Sequence, residues 1–307
     1  MPPAESESIP APQRPLRGAL LERFGRLLDL QISRLEWEDA QAAGRAIGRL
    51  GWAAARRDRR RTLDHLAIAF PDAAPEARRR LARASFLHFG CMLAEALWIA
   101  SRGAEEVLRR VRFEGWNEIE RARATSRPML VVTGHCGNWE LLAAALNARG
   151  LGMAVVAREL DDPGLNTRLL ALRERFGTRT ILRGTPGAAR QLLKTLRAGG
   201  ALGMLIDQDT KVEGVWVDFF GRPAYTPVGA ADMALRLGAT VLPTFIQRLA
   251  DGSHLAHVEP PLALPSDPTA ATAAMTAAIE AQIRRVPEQW VWLHRRWRRQ
   301  PPAGSAA

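Results

Sequence analysis

The chain has 307 residues, 47% hydrophobic and 24% charged, which is enough to bury a core in one or two domains and too apolar for a disordered protein. Its formal net charge of +11 is carried almost wholly by arginine, with Lys194 and Lys211 the only lysines. Such a surface attracts phospholipid headgroups, an acidic carrier protein or nucleic acid, and charge alone does not choose among them. Two cysteines far apart, Cys91 and Cys136, argue against a disulfide framework and for a reducing compartment, and no Cys/His spacing suits zinc.

Residues 1–15, rich in Pro, Ser, Glu and Ala, and residues 300–307 read as solvated tails. The N-terminus has no basic start followed by an apolar core, so no signal peptide is expected. No run of about 18 apolar residues occurs, so no spanning helix is expected either. Residues 16–57 show helical periodicity: Leu20, Phe24, Leu27, Leu28 and Leu35 share one stripe, and Arg17, Arg23, Arg26 and Arg34 lie among the polar positions. The run Arg56-Arg57-Asp58-Arg59-Arg60-Arg61 closes this segment. It reads either as an interfacial helix with a basic flank on anionic lipid, or as a surface helix packed on its own domain. Residues 62–110 continue as helices, broken at Phe70-Pro71-Asp72.

From residue 129 the pattern changes. Apolar, β-rich runs at 129–133, 153–157, 202–206 and 240–246 alternate with helical patterns near 138–149, 164–176, 187–198 and 227–237, and one more helix spans 267–286. Strand alternating with helix predicts an α/β fold, a mostly parallel central sheet covered by helices, with a helical N-terminal extension. The boundaries expected are a helical region at 16–110 and a catalytic domain at 111–299. His254 and His257 read as ordinary strand or surface histidines.

Chemistry concentrates in the segment from Met129 to Leu142, which contains Gly134-His135-Cys136-Gly137-Asn138-Trp139-Glu140. A buried strand ends at Thr133, the glycines permit a tight turn, and Asn138 is a good N-cap for the helix that follows. In an open α/β sheet, that strand end is where ligands bind. A His-x4-Glu spacing across such a junction predicts that Glu140 folds back onto one nitrogen of His135, fixing its tautomer and leaving the other as a base. The helix-start N–H groups would hold a phosphate or a thioester oxyanion. The same residues also have a plain reading: a first-turn Glu complements the macrodipole, and a loop His caps a neighbour. Cys136, beside a helix N-terminus, is a second candidate nucleophile if its pKa is depressed, which would make the protein a thioester hydrolase.

The Gly134–Glu140 block resembles the His-x4-Asp/Glu motif of the bacterial lipid A biosynthesis acyltransferases, the late lauroyl/myristoyl transferases of the lysophospholipid acyltransferase superfamily. Asp207-Gln208-Asp209 resembles that family's acidic block, Phe219-Phe220-Gly221-Arg222-Pro223-Ala224 its Phe-Phe-Gly segment, and the stretch from Pro287 to Trp297 its C-terminal signature. The blocks occur in family order over roughly residues 60–299. The resemblance implies acyl transfer from a thioester, with acyl carrier protein as donor, to a hydroxyl of a phosphorylated or sugar-containing lipid. His135 would be the base and Glu140 its partner. It further implies that Arg158 binds acceptor phosphate, and that Cys136, Gly137, Asn138, Asp207, Gln208, Asp209, Phe220 and Gly221 line the substrate pocket. Plain alternatives are a solvent-facing strand-end Arg158, loop capping by the acidic block, and core packing for Phe219 and Phe220. No metal or organic cofactor and no nucleic acid is implied. Where the family begins with a hydrophobic anchor, residues 16–57 are amphipathic, so attachment at the cytoplasmic face of the inner membrane is expected to be peripheral. A catalytically silent, basic membrane-binding relative is the remaining alternative.

Overall fold

A computed structural model describes residues 30–301. The expected tails, apart from Gln300 and Pro301, and most of the amphipathic stripe before residue 30 lie outside the described residues.

The N-terminal part is helical: α1 (Trp37–Ala54), α2 (Arg56–Ala69), α3 (Pro75–Ile99) and α4 (Ala104–Arg110). The basic run that was expected to close a helix instead opens a new one, because α1 stops at Ala54 and α2 begins at Arg56. α1 turns Trp37, Ala40, Gln41, Gly44 and Gly48 inward. Its glycines let it lie directly on α3: a Cβ on Gly44 would sit 2.5 Å from the Cα of Cys91, and one on Gly90 would sit 2.2 Å from the Gly44 carbonyl. A single larger side chain at this crossing would force the helices apart. For the described part of the segment, packing on its own domain is the observed outcome. Ile32, Trp37, Ala94 and Trp98 share one buried cluster with Val131, Leu142 and Leu146 of the sheet region.

The sheet region runs β1 (Val111–Glu114), α5 (Trp116–Ala124), β2 (Met129–Thr133), α6 (Trp139–Ala148), β3 (Ala154–Ala157), α7 (Pro163–Arg175), β4 (Arg179–Leu182), α8 (Ala188–Arg197) and β5 (Ala201–Leu205). It continues with β6 (Gly214–Phe219), β7 (Arg222–Pro227), α9 (Gly229–Leu237), β8 (Thr240–Arg248), β9 (His254–Val258) and α10 (Pro268–Arg285). Strands β1-β9-β8-β2-β5-β3-β4 form a seven-stranded sheet in that order. Every neighbouring pair is parallel except β8 with β9. The predicted mostly parallel, helix-covered α/β sheet with a helical N-terminal region is what forms. β2 is central and wholly buried, as its continuous apolar run requires. The strand order changes direction around it, so its C-terminal end opens at the crevice where such sheets bind ligands.

β6 and β7 form a separate antiparallel hairpin packed on α10. Its two-residue turn is Phe220-Gly221, both at positive φ (56° and 70°). That is the backbone twist a tight hairpin turn needs, and Gly221 adopts it far more readily than Phe220. The Phe220 N–H donates to Glu280 Oε2 at 2.6 Å, and its ring packs on Phe70, Phe219 and Trp292, which holds the unusual conformation in place.

Candidate active site

β2 delivers the chain to Gly134 and His135 at its C-terminal end. Gly134 is required for space: a Cβ there would lie 2.7 Å from Ile279 and 3.0 Å from the Asp207 carboxylate. Gly137 is required for conformation: its φ is +61°, and a Cβ would sit 1.9 Å from the Ile246 carbonyl. Asn138 then caps α6, its Oδ1 accepting the Leu141 N–H at 3.1 Å.

The partner of His135 is Asp207, just past the end of the neighbouring strand β5. The His135 Nδ1–H donates to Asp207 Oδ1 at 2.7 Å, and the His135 backbone N–H donates to Oδ2 at 2.7 Å. The indole N–H of Trp290 donates to the same Oδ2 at 2.7 Å. Asp207 is fully buried. Burial alone would push its carboxyl up, but the charge of His135 and these three hydrogen bonds prevail and hold it down at about 2. An ionised carboxylate on Nδ1 fixes the tautomer, which leaves the Nε2 lone pair of the partly exposed His135 as a proton acceptor. Nε2 has no hydrogen-bond partner among the described residues.

The expected His135–Glu140 pairing is therefore corrected. Glu140 makes a two-pronged ion pair with Arg173 of α7, at 2.9 Å from Nε and 2.6 Å from a terminal nitrogen. The reason is helical: once Asn138 caps α6, Glu140 in the first turn projects toward α7. Trp139, one residue earlier, faces His135 instead, with ring centroids 4.8 Å apart.

The loop is held from below by a second buried network. Fully buried Glu95 of α3 receives Arg248 of β8 through two hydrogen bonds (2.7 and 2.9 Å), Gln41 at 2.7 Å and Asn138 Nδ2 at 3.0 Å. Burial opposes the Glu95 charge, yet His254 and Arg248 hold its carboxyl well below the ordinary range. Arg248 donates to His88 Nδ1 at 2.6 Å, so the His88 Nε2–H is left to donate to the Gly137 carbonyl at 3.3 Å. Burial first, and Arg248 second, push His88 down to about 3, so it is neutral. Gln289, at the start of the C-terminal signature, accepts the Gly137 N–H at 2.8 Å through its carbonyl, and Cys136 bridges Trp290.

Several expected substrate contacts are corrected by these bonds. Asn138 is fully buried, with its side chain committed to Leu141, Glu95 and Met92. Both polar backbone groups of Gly137 are engaged. Cys136 is buried, and burial, followed by the charge of Asp207, pushes its thiol well above the ordinary range, opposite to what a nucleophilic thiolate needs. Asp209 is buried under a two-pronged contact from Arg298 (2.9 and 3.1 Å) and a contact from Arg299 at 3.2 Å. Gln208 between them is half-buried. Phe220 is almost fully buried in an aromatic cluster with Phe219 and Trp292, and Gly221 sits at the exposed hairpin turn. Arg158, at the end of β3, is half exposed and pairs with Asp161 at 2.7 Å, with no hydrogen bond to the His135 cluster.

Residues that sequence reasoning did not single out include Arg173, His88, Glu95, Arg248 and Trp290 in its Asp207-bonding role. Buried Glu95 and His88 sit on an otherwise apolar helical face, a legible hint. Their partners come from distant strands and were not legible. Among the first-turn N–H groups of α6, that of Leu141 is capped, while those of Trp139 and Glu140 have no partner among the described residues. They are the donors that remain for a ligand oxygen.

The sequence profile described as "Bacterial lipid A biosynthesis acyltransferase" matches residues 39–299. Over 243 residues the chain is 27% identical to the lipid A biosynthesis acyltransferase of Haemophilus influenzae, covering 78% of this chain and 75% of that protein. It is 27% identical over 252 residues to the lipid A biosynthesis palmitoleoyltransferase of Escherichia coli, covering 79% of each. It is 30% identical over 186 residues to the phosphatidylinositol mannoside acyltransferase of Mycobacterium tuberculosis, covering 60% of this chain and 58% of that protein.

Proposed function

The chain belongs to the bacterial lipid A biosynthesis acyltransferase family, and we propose that His135, oriented by Asp207, is the base that moves an acyl group from a thioester to a lipid hydroxyl. It is an O-acyltransferase acting on lipid A or a related glycolipid. His135 Nε2 takes the proton of the acceptor hydroxyl as its oxygen attacks the thioester carbonyl carbon. The N–H groups of Trp139 and Glu140 at the start of α6 receive the negative charge that develops on the carbonyl oxygen. That attack forms the ester C–O bond; collapse of the tetrahedral adduct re-forms the carbonyl and breaks the C–S bond, and the thiolate leaves with the proton held by His135. Asp207 stays ionised throughout and offsets the imidazolium charge.

The observation that carries this reading is the two-point clamp of Asp207 on His135, through Nδ1 and the backbone N–H. An acyl carrier protein is the donor best matched to this chain, since an acidic carrier would be drawn to a surface with net charge +11. Among the described residues no helix is long and apolar enough to cross a membrane. Contact with the cytoplasmic face of the inner membrane through a basic surface fits the lipid acceptor. The test is purified His135→Ala protein given an acyl thioester and a glycolipid acceptor, with products weighed by mass spectrometry. No acceptor gaining one acyl chain is expected, at an unchanged melting temperature. Transfer near the wild-type rate would sink the proposal.

A further inference from the structure

Beside the active site, α2 and the C-terminal segment line an open cleft of about 370 Å³. The arginine run shapes one wall: Arg57, Arg60, Arg61 and Asp64 fall at helical spacings of three and four, so they share one face of α2. Arg295 and Arg298 supply the opposite wall, and His65 and Trp297 lie between, their rings 5.2 Å apart. Five guanidinium groups thus face one carboxylate, Asp64. Arg61 is tied to Asp58 and to the Leu293 carbonyl, each at 3.0 Å, and Arg298 is tied to Asp209. Arg57, Arg60 and Arg295 are exposed and have no ion-pair partner among the described residues. The indole N–H of Trp297 is buried and likewise lacks a hydrogen-bond partner.

Converging like charges repel, and an anion with several acceptor oxygens removes that repulsion while satisfying the planar donors. The depression is open, but its basic side chains gather round one spot, whereas a duplex or a lipid surface needs an extended stripe. Its location connects it to the chemistry. The Trp297 ring packs on Phe219 and Trp290, and Trp290 donates to Asp207.

We infer that this cleft is a binding site for a phosphate ester, with Arg57, Arg60 and Arg295 holding the phosphate and the Trp297 face packing against the group that bears it. The phosphate belongs either to the headgroup of the acceptor glycolipid or to the phosphopantetheine arm of the donor, and that attribution rests on the acyl-transfer reading. Binding itself does not depend on it.

The test is calorimetric titration of the full-length protein with glucose 1-phosphate, with 4′-phosphopantetheine, and with glucose as the uncharged control. Wild type, Arg60→Ala/Arg295→Ala and His135→Ala are compared. The expected result is that wild type binds at least one of the two phosphate esters and not glucose. The double variant should bind it about ten-fold or more weakly, with an unchanged or raised melting temperature because a repulsion is removed. The ester that binds names the source, and the KM for that substrate should rise while kcat stays within about two-fold. Arg57→Ala is the milder second variant. No binding of either ester, or equal binding by the double variant, overturns the site. His135→Ala should bind as wild type does. If it also keeps its transfer activity, the catalytic reading falls and the phosphate site stands.

Discussion

Two fully buried carboxylates, Asp207 and Glu95, flank the loop at 134–140, and they are held in opposite ways. Asp207 is satisfied by neutral N–H donors and one imidazole, and its partner His135 reaches solvent. Glu95 is matched by a full positive charge, Arg248, and its partners are buried or nearly so. One arrangement presents a proton acceptor to the crevice. The other fixes the backbone from which that acceptor hangs, through Asn138 and, by way of Arg248 and His88, through Gly137. A buried ion pair costs desolvation and adds little net stability, but breaking it leaves one charge stranded. The difference separates the site that the proposed chemistry would use from a support that would fail by unfolding.

That comparison can be broken experimentally. The largest effect is expected for Asp207→Asn, which removes the charge behind His135: kcat/KM should fall about a thousand-fold or more while the protein still folds, as read by steady-state transfer and thermal melting. Glu95→Gln should do the reverse, costing about 3–5 kcal/mol in denaturant unfolding and leaving the folded fraction's kcat within about ten-fold of wild type. An exchange of these two phenotypes would refute the division of labour.

Glu140→Gln tests the corrected pairing. It loosens α6 from Arg173 and shifts Trp139 and the helix-start donors, so a rate loss of about 10- to 100-fold is expected, smaller than for Asp207→Asn. A larger loss than Asp207→Asn would return the orienting role to Glu140. The His88 side of the support gives a pH signature. Its folded-state pKa of about 3 lies below the unfolded value of 6.5, so the unfolded chain binds the extra proton between those values. Stability is full above about pH 6.5 and drains as pH falls toward about 3, with a slope near 1.4 kcal/mol per pH unit from this group. His88→Gln should flatten that slope in unfolding titrations, and an unchanged slope would show that His88 is not neutral. The smallest effect is expected for Cys136→Ser, whose transfer rate should stay within about three-fold of wild type because the thiol takes no part in the proposed chemistry.

Much of the fold was legible from periodicity. The continuous apolar run of β2, the capped start of α6 at Asn138 and the αL stop of α9 at Gly238 are local signals, written within a few residues of where they act. The weaker elements were not legible. β4 is a short edge strand with mixed burial, β1 and β9 gain their identity from each other, and the β6–β7 hairpin turns on a phenylalanine in a conformation that local preference disfavours. Those depend on partners distant in the chain.

His135 and its loop were determined by the sequence itself, since the strand end, the two glycines and the cap fix where that imidazole stands. What the sequence could not decide was which carboxylate meets it. The spacing brought Glu140 close along the chain, but the helix geometry of α6 turns it toward Arg173. The adjacent strand β5 ends at the same level as β2 and delivers Asp207 from 72 residues away. Neighbours along a chain are set by spacing, whereas neighbours across a sheet are set by register, and register exists only in the folded protein.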